Sequence, residues 1–137
     1  MARQRFVVFG FLAVFLIGNF ACSDSGADFQ EPAATAAEFA AIQVNVFNPS
    51  CAIGGCHDGS ESPNLSEGVA YNSIVNRGSS QSNLNLIEPG DPDNSYLYRK
   101  LVGGNISGGI MPRGQNRLST AITDSIKVWI EDGALNN

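Results

Sequence analysis

Two cysteines and a histidine stand close together in the segment Cys51-Ala-Ile-Gly-Gly-Cys56-His57. A pair of thiols can add to the two vinyl groups of a haem, and a histidine directly after the second thiol can then bind the iron. The usual spacing for this chemistry is Cys-x-x-Cys-His, whereas four residues separate the cysteines here. Two of the four, Gly54 and Gly55, would let the longer backbone turn tightly. The same cysteines could instead form a disulfide, because disulfides are common in exported proteins.

Met111 is the second candidate for binding iron. Apart from Met1 it is the only methionine of the chain, just as His57 is the only histidine. It lies in the glycine-rich segment GGIMPRG, directly before Pro112, rather than on the apolar face of a helix. A thioether sulfur is a neutral, soft ligand, and opposite a histidine it raises the reduction potential of a haem iron. The alternative is that Met111 only anchors its loop by burying an apolar side chain.

The start of the chain has the order of a secretory signal peptide. Arg3 and Arg5 precede an apolar stretch over residues 6–21. This stretch is shorter than the roughly 20 residues that a spanning helix needs, so an uncleaved membrane anchor is the less favoured alternative. Cys22 stands where a bacterial lipoprotein is cleaved and lipidated, and Phe-Ala-Cys22 resembles a lipobox. We expect a lipoprotein-type signal peptide over residues 1–21 and a lipid on Cys22, with ordinary cleavage nearby as the alternative.

The rest of the chain divides into a tether and one domain. Residues 22–35 are small, polar and acidic, as expected of a flexible tether, and residues 36–137 suffice for one small domain. With Cys22 lipidated, the cysteines that remain are Cys51 and Cys56. Cleavage would remove two arginines and leave six basic against 13 acidic residues, a net charge near −7. This balance argues against nucleic acid as a partner and favours a protein with a basic docking surface.

Apolar periodicity and capping residues predict an all-α domain of about four short helices joined by long loops. Small polar residues, prolines and glycines indicate where helices begin or end. The expected boundaries are Asn48-Pro49 for the end of the first helix, Ser66 for the start of the second, Asn94 or Ser95 and Gly103 for the third, and Ser119 or Thr120 and Gly133 for the fourth. Long loops in so small a domain usually surround a ligand.

These stretches resemble the class I-like single-haem cytochrome c domains of bacterial secreted proteins and lipoproteins. The resemblance extends from about residue 36 to residue 135. It rests on VFNPSCAIGGCHDG, LIEPGDPDNSYLYRKL, GGIMPRG and SIKVWIEDGA, and departs from the common pattern in the length of the cysteine spacer. It implies a small cytochrome c-like fold around one covalent haem c, with a last helix that packs across the first. It also implies thioether bonds from Cys51 and Cys56, His57 as the proximal ligand and Met111 as the distal ligand.

Such a site needs further polar groups, and the sequence offers several candidates for them. The second ring nitrogen of the histidine needs an acceptor, and the carbonyl of Pro63 or of Pro89 lies in a suitable loop. The anionic propionates of a haem need donors. The candidate donors are Arg99, Lys100, Arg113 and Trp129, and Tyr96 and Tyr98 are candidates for the pocket wall.

The leading hypothesis for the function is one-electron transfer. Two protein ligands on the iron would leave no position for a substrate, so we expect a carrier rather than an enzyme. We expect it to be exported to the periplasm or another face of the cell envelope, held at the membrane by its lipid, and to meet redox partner proteins there. One alternative is a haem peroxidase or gas sensor whose Met111 detaches readily. The other is a haem-free interaction module with a Cys51–Cys56 disulfide.

Overall fold

The structure, a computed structural model, describes residues 37–137. The signal peptide predicted for residues 1–21, the lipidation of Cys22 and the tether predicted for residues 22–35 lie outside the described residues. Within residues 37–137, no helix is both long enough and apolar enough to cross a membrane.

The first helical segment begins as an α-helix and continues as a π-helix. Helix α1 covers Phe39–Ile42, and the π-helix follows it without a break over Gln43–Cys51. The predicted end at Asn48-Pro49 is therefore wrong, because the proline lies inside the helical path. The wider turn carries the chain past the proline, since the N–H of Ala52 donates to the carbonyl of Phe47, five residues back, at 2.7 Å.

The middle of the domain contains two short helices and one 3-10 turn. Helix α2 covers Ala70–Ile74 and begins later than predicted, because Ser66 contributes its carbonyl, 3.0 Å from the N–H of Ala70, rather than a side-chain cap. The 3-10 turn covers Pro92–Asn94, and helix α3 covers Tyr96–Val102. Helix α3 ends at Gly103 as predicted, where a φ of 91° favours glycine.

Helix α4 covers Thr120–Glu131 and is the longest α-helix among the described residues. The Oγ of Ser119 accepts from the N–H of Ile122 at 3.3 Å, which confirms the predicted cap. Gly133 lies just beyond the last turn with a φ of 96°, as a helix-ending glycine should. The predicted apolar face is also confirmed: Ile126, Trp129 and Ile130 are buried, and Ile122 packs against the core.

In the core, residues from the beginning of the described chain pack against residues from its end. The ring of Phe39 has its centroid 5.1 Å from that of Tyr71 and 5.6 Å from that of Trp129. Helix α4 also packs against α3. The N–H groups of Phe39 and Ala40, at the start of α1, donate to the side chain and the carbonyl of Asn137 at 2.8 and 2.9 Å. The last residue thus supplies acceptors that a helix N-terminus otherwise lacks.

The expected all-α class is confirmed. Residues 37–137 contain the four α-helices, the π-helix and the 3-10 turn, and no β-strand. Two isolated β-bridges, Val75 with Ile87 and Gly78 with Asn85, fold the loop after α2 back on itself. The long loops after the π-helix, after α2 and after α3 leave room for a cavity between them and the helices.

Candidate functional site

The loops and helices surround a cavity of about 440 Å³, a volume typical of a pocket for a small molecule or cofactor. All four residues predicted to bind haem line it, namely Cys51, Cys56, His57 and Met111. The described part of the chain therefore brings the cysteine segment and the distant methionine to one site. The apolar walls include Val46, Phe47, Leu65, Leu86, Leu97 and Leu101.

A tight turn lies between the two cysteines. The N–H of Cys56 donates to the carbonyl of Ile53 at 2.9 Å and closes a β-turn with two glycines at its centre. Gly55 has a φ of 80°, which matches the third position of a type II turn and favours glycine there. The N–H of His57 then donates to the carbonyl of Cys51 at 3.0 Å. The two added spacer residues are thus taken up by a compact closed loop.

The two cysteines are free thiols in different surroundings. Cys51 ends the π-helix and is buried, whereas Cys56 is half-buried. Burial, and secondarily the neighbouring Cys56, raise the pKa of the Cys51 thiol to about 11. Cys51 therefore keeps its proton at neutral pH and presents an S–H group to the cavity.

The ring of His57 is oriented by a backbone carbonyl. Its Nδ1 lies 2.9 Å from the carbonyl oxygen of Pro63. Because a carbonyl can only accept, Nδ1 carries the hydrogen, and Nε2 is left with the lone pair that binds a metal. The N–H of Leu65 donates in turn to the carbonyl of His57 at 2.7 Å. Of the two predicted acceptors, the structure selects Pro63, and Pro89 does not line the cavity.

Met111 lies near the end of residues 103–112, here called the methionine loop. Its side chain is half-buried and packs against the core. Its N–H donates to the carbonyl of Lys100, in helix α3, at 2.8 Å. Just beyond the loop, the side-chain amide of Gln115 donates to the carbonyl of Ser50 at 3.2 Å. Hydrogen bonds to α3 and to the π-helix therefore flank the methionine.

Side chains of helix α3 hold the middle of the methionine loop. The Nζ of Lys100 donates to the carbonyls of Ser107 and Gly109 at 2.8 and 2.7 Å. The hydroxyl of Tyr96 accepts from the N–H of Ser107 at 2.9 Å. The same hydroxyl donates to the Oε1 of Gln81 at 3.4 Å, which connects the methionine loop to the loop after α2.

The four predicted propionate donors fall into two groups. Lys100 and Arg113 line the cavity, whereas Arg99 and Trp129 do not. The indole of Trp129 is buried in the core and donates to the carbonyl of Leu135 at 2.8 Å. The ammonium of Lys100 is already engaged by the methionine loop. Arg113 is exposed on the lining and is the predicted donor best placed for an anionic group.

Some residues of the cavity wall could not be predicted, because their sequence has no recognisable pattern. Residues 78–81 line the cavity together with Gln115. They belong to polar loops without charge runs or apolar periodicity, so nothing in their composition distinguishes a pocket wall from a solvated loop. Tyr96 lines the cavity as predicted, and Tyr98 does not.

The donor set suits a haem rather than a bare metal ion. Within residues 37–137, no group of three or more His, Cys, Asp or Glu side chains is placed to hold an ion. A haem iron takes four nitrogen ligands from its ring and needs two more from the protein, which His57 and Met111 can supply. Two free thiols, an imidazole with an available Nε2, a thioether and apolar walls on one cavity fit haem c.

Comparisons with protein-family models, with curated proteins and with solved structures found no match to this chain.

Proposed function

We propose that this protein is a one-electron carrier with a cytochrome c-like fold and one covalently bound haem c. Cys51 and Cys56 would hold the haem through thioether bonds, and His57 and Met111 would bind the iron. One observation carries the proposal: the imidazole whose Nδ1 donates to the carbonyl of Pro63 lines the same cavity as both thiols and the methionine. That arrangement supplies each protein group that haem c requires.

The two thiols are suited to attach the haem. Addition to a vinyl group needs an S–H group, and Cys51 and Cys56 are both free thiols. Each thiol would add across the double bond of one vinyl group, with its sulfur bonding to one carbon and its hydrogen to the other. The addition is not a net oxidation, so no oxidant is required. The closed turn at Gly55 would set the separation of the two sulfurs.

The surrounding residues favour a carrier. When bound, the haem supplies the Fe(III)/Fe(II) couple. Ligation by His57 and Met111 would leave no iron position for a substrate, and a methionine ligand would raise the potential. The apolar walls of the cavity would limit the access of water to the iron, and solvent access also influences the potential.

The two alternatives have less support. A peroxidase needs an acid–base group above an open iron position, but His57 is the only histidine of the chain and its Nδ1 is already engaged. A readily detached Met111 also fits poorly with a loop held by helix α3. A haem-free module stabilised by a disulfide leaves unexplained why His57 and Met111 line the same cavity as Cys51 and Cys56.

We also propose where the carrier is located and what kind of protein it binds. A signal peptide over residues 1–21, a lipid on Cys22 and the tether over residues 22–35 would hold the carrier at the membrane, outside the cytoplasm. A net charge near −7 after cleavage favours redox partner proteins with a basic docking surface and disfavours nucleic acid.

The first experiment asks whether haem is attached covalently. The full chain is expressed in a host with c-type cytochrome maturation machinery, its spectrum is recorded in alkaline pyridine, and a second sample is extracted with acidic acetone. We expect a c-type spectrum and haem that stays on the polypeptide. The Cys51→Ala/Cys56→Ala variant should release its haem into acetone. A colourless wild-type protein would overturn the proposal and leave the disulfide module as the better account.

A second measurement separates a carrier from an open-site enzyme. Carbon monoxide binds ferrous haem only where an axial position is free. The wild-type protein should therefore bind it slowly, and the Met111→Ala variant should bind it rapidly. If the wild-type protein bound carbon monoxide as fast as the variant, the peroxidase or sensor hypothesis would replace the carrier.

A further inference from the structure

Lys100 is the only charged residue among residues 37–137 that is buried, with 8% of its surface exposed. A lysine is rarely buried unless its ammonium is paired. Lys127, in helix α4, forms an ion pair with Glu131 on the surface, but within the described residues no carboxylate pairs with Lys100. This unusual placement on the cavity wall calls for a physical explanation.

Backbone carbonyls of the methionine loop, rather than a carboxylate, are the partners of the Lys100 ammonium. The Nζ of Lys100 donates to the carbonyls of Ser107 and Gly109 at 2.8 and 2.7 Å. Hydrogen bonds with an ionised donor are stronger than neutral ones. Gly108 lies between the two carbonyls with a φ of 72°, so glycine allows the loop to turn around the ammonium.

The same residue holds the methionine through its backbone. The carbonyl of Lys100 accepts from the N–H of Met111 at 2.8 Å. The Tyr96 hydroxyl, one turn earlier in α3, accepts from the N–H of Ser107 at 2.9 Å. One face of a short helix thus fastens the loop at its middle and beside the methionine.

We propose that Lys100 is the positioning residue for Met111 and also a buried positive charge that raises the potential of the iron. The inference rests on the proposed function, because it requires Met111 to be the distal ligand. By tying Ser107 and Gly109 to α3, the ammonium limits the movement by which the thioether would leave the iron.

The charge of Lys100 has a second effect on the iron, in addition to that of the hydrogen bonds by which it holds Met111. Reduction of Fe(III) to Fe(II) removes one positive charge from the haem. A second positive charge on the wall of the same cavity repels the oxidised form more than the reduced form, and because Lys100 is buried, water screens this repulsion less than it would at the surface. Lys100 therefore favours the reduced state, whereas a lysine that only stabilised the fold would leave the potential unchanged.

The experiment compares three variants with the wild-type holoprotein. Lys100→Leu removes the charge and the donors without introducing a new iron ligand, and Lys100→Arg keeps both. Lys127→Leu is the matched control, because it removes a lysine from the surface, away from the cavity. For each protein we would measure the near-red charge-transfer band of methionine-ligated ferric haem, the potential, the rate of carbon monoxide binding and hydrogen exchange at the Met111 amide.

For Lys100→Leu we expect a weaker band, faster exchange at the Met111 amide and carbon monoxide binding at least about tenfold faster, because two charge-assisted hydrogen bonds are lost. We also expect the ferric–ferrous equilibrium to shift toward the ferric form by about tenfold, which is about 59 mV for one electron. Lys100→Arg should restore most of the potential, and Lys127→Leu should resemble the wild type in all four measurements.

The outcomes distinguish this inference from the proposed function. A wild-type protein without covalent haem, or without the methionine band, would contradict the proposed function itself. If the wild type has both and Lys100→Leu matches Lys127→Leu in band and potential, the inference about Lys100 is wrong. If Lys100→Leu does not fold, Lys100→Gln tests the charge alone, because it keeps a polar donor but carries no charge. An unchanged potential in that variant would overturn the electrostatic role.

Discussion

The Nδ1 of His57 and the carbonyl oxygen of Pro63 are joined by a hydrogen bond of 2.9 Å. The bond links the histidine to the loop that follows it, and it sets which ring nitrogen carries the hydrogen. An acceptor on one ring nitrogen of a histidine orients the ring and makes the other nitrogen a better metal ligand. The loop from His57 to Leu65 closes on itself through a further bond of 2.7 Å between their backbone groups, so this orientation should exist before any haem is attached.

We predict that haem-free protein already holds His57 as the Nδ1–H tautomer. Free imidazole side chains favour a hydrogen on Nε2, so the Pro63 carbonyl should reverse the usual preference. Because His57 is the only histidine, nitrogen NMR of histidine-labelled chain, expressed without maturation machinery, gives one unambiguous set of signals at alkaline pH, where imidazole is neutral. The same sample in urea should return to the Nε2–H form. An Nε2–H tautomer in the folded protein would contradict the Pro63 contact.

The turn between the cysteines supplies a second prediction, with a matched control one residue away. Gly55 has a φ of 80°, whereas Gly54 does not have a positive φ, and the position of a Cβ on either residue is open space. Gly55→Ala should therefore lower the free energy of unfolding by roughly 1–2 kcal/mol through backbone strain alone. Gly54→Ala should change it little. Denaturant unfolding monitored by circular dichroism checks both, and equal effects would argue against the described turn.

Much of the helical structure could be predicted from the sequence because its signals are local. The Ser119 cap and the apolar face of helix α4 depend on residues within a few turns of one another. The end of the first helix could not be predicted, because Pro49 usually terminates an α-helix. Its inclusion in a π-helix is accompanied by burial of Phe47 and Cys51 on either side of it in the common core, and such packing has no local signature.

The residues of the candidate site likewise include some that could be predicted from the sequence and some that could not. Cys51, Cys56 and His57 are close in sequence, so their spacing alone places them together, and Met111 stands out because Met1 is the only other methionine of the chain. The choice of Pro63 over Pro89 depends on the path of a loop without regular structure. The engagement of Lys100 was not predictable either, since a lysine in a short helix is normally exposed.

A third prediction concerns the aromatic contact that joins the first and last helices. Trp129 is 1% exposed, lies 5.6 Å from the ring of Phe39 and donates to the carbonyl of Leu135. Trp129→Ala should lower the free energy of unfolding by about 3–5 kcal/mol, because it leaves a large cavity in the core. Val128→Ala, on the exposed side of the same helix, should change it by less than about 0.5 kcal/mol. Circular dichroism is the suitable probe, since Trp129 is the only tryptophan.

The last prediction concerns stability at alkaline pH. Burial of Tyr98, and then the negative charge of Asp124, raise the pKa of its phenol above the ordinary value of 10.0, against a smaller opposing effect of Lys127. Above pH 10 the unfolded chain therefore loses this proton before the folded chain does. Since the folded state then binds more protons than the unfolded state, the free energy of unfolding falls as the pH rises, until the pKa of the folded state is passed.

Tyr98→Phe isolates this contribution because it removes the titrating hydroxyl and keeps the ring in the core. The difference in free energy of unfolding between wild type and variant should be constant from pH 7 to about pH 9 and then change in favour of the variant above about pH 10. Urea unfolding of both holoproteins across this range measures it, and alkaline effects common to both proteins cancel in the difference. A difference that stayed constant to the highest pH would mean that folding does not raise the pKa of Tyr98. A change in the opposite direction would mean that folding lowers it, through cations such as Lys127 rather than through burial.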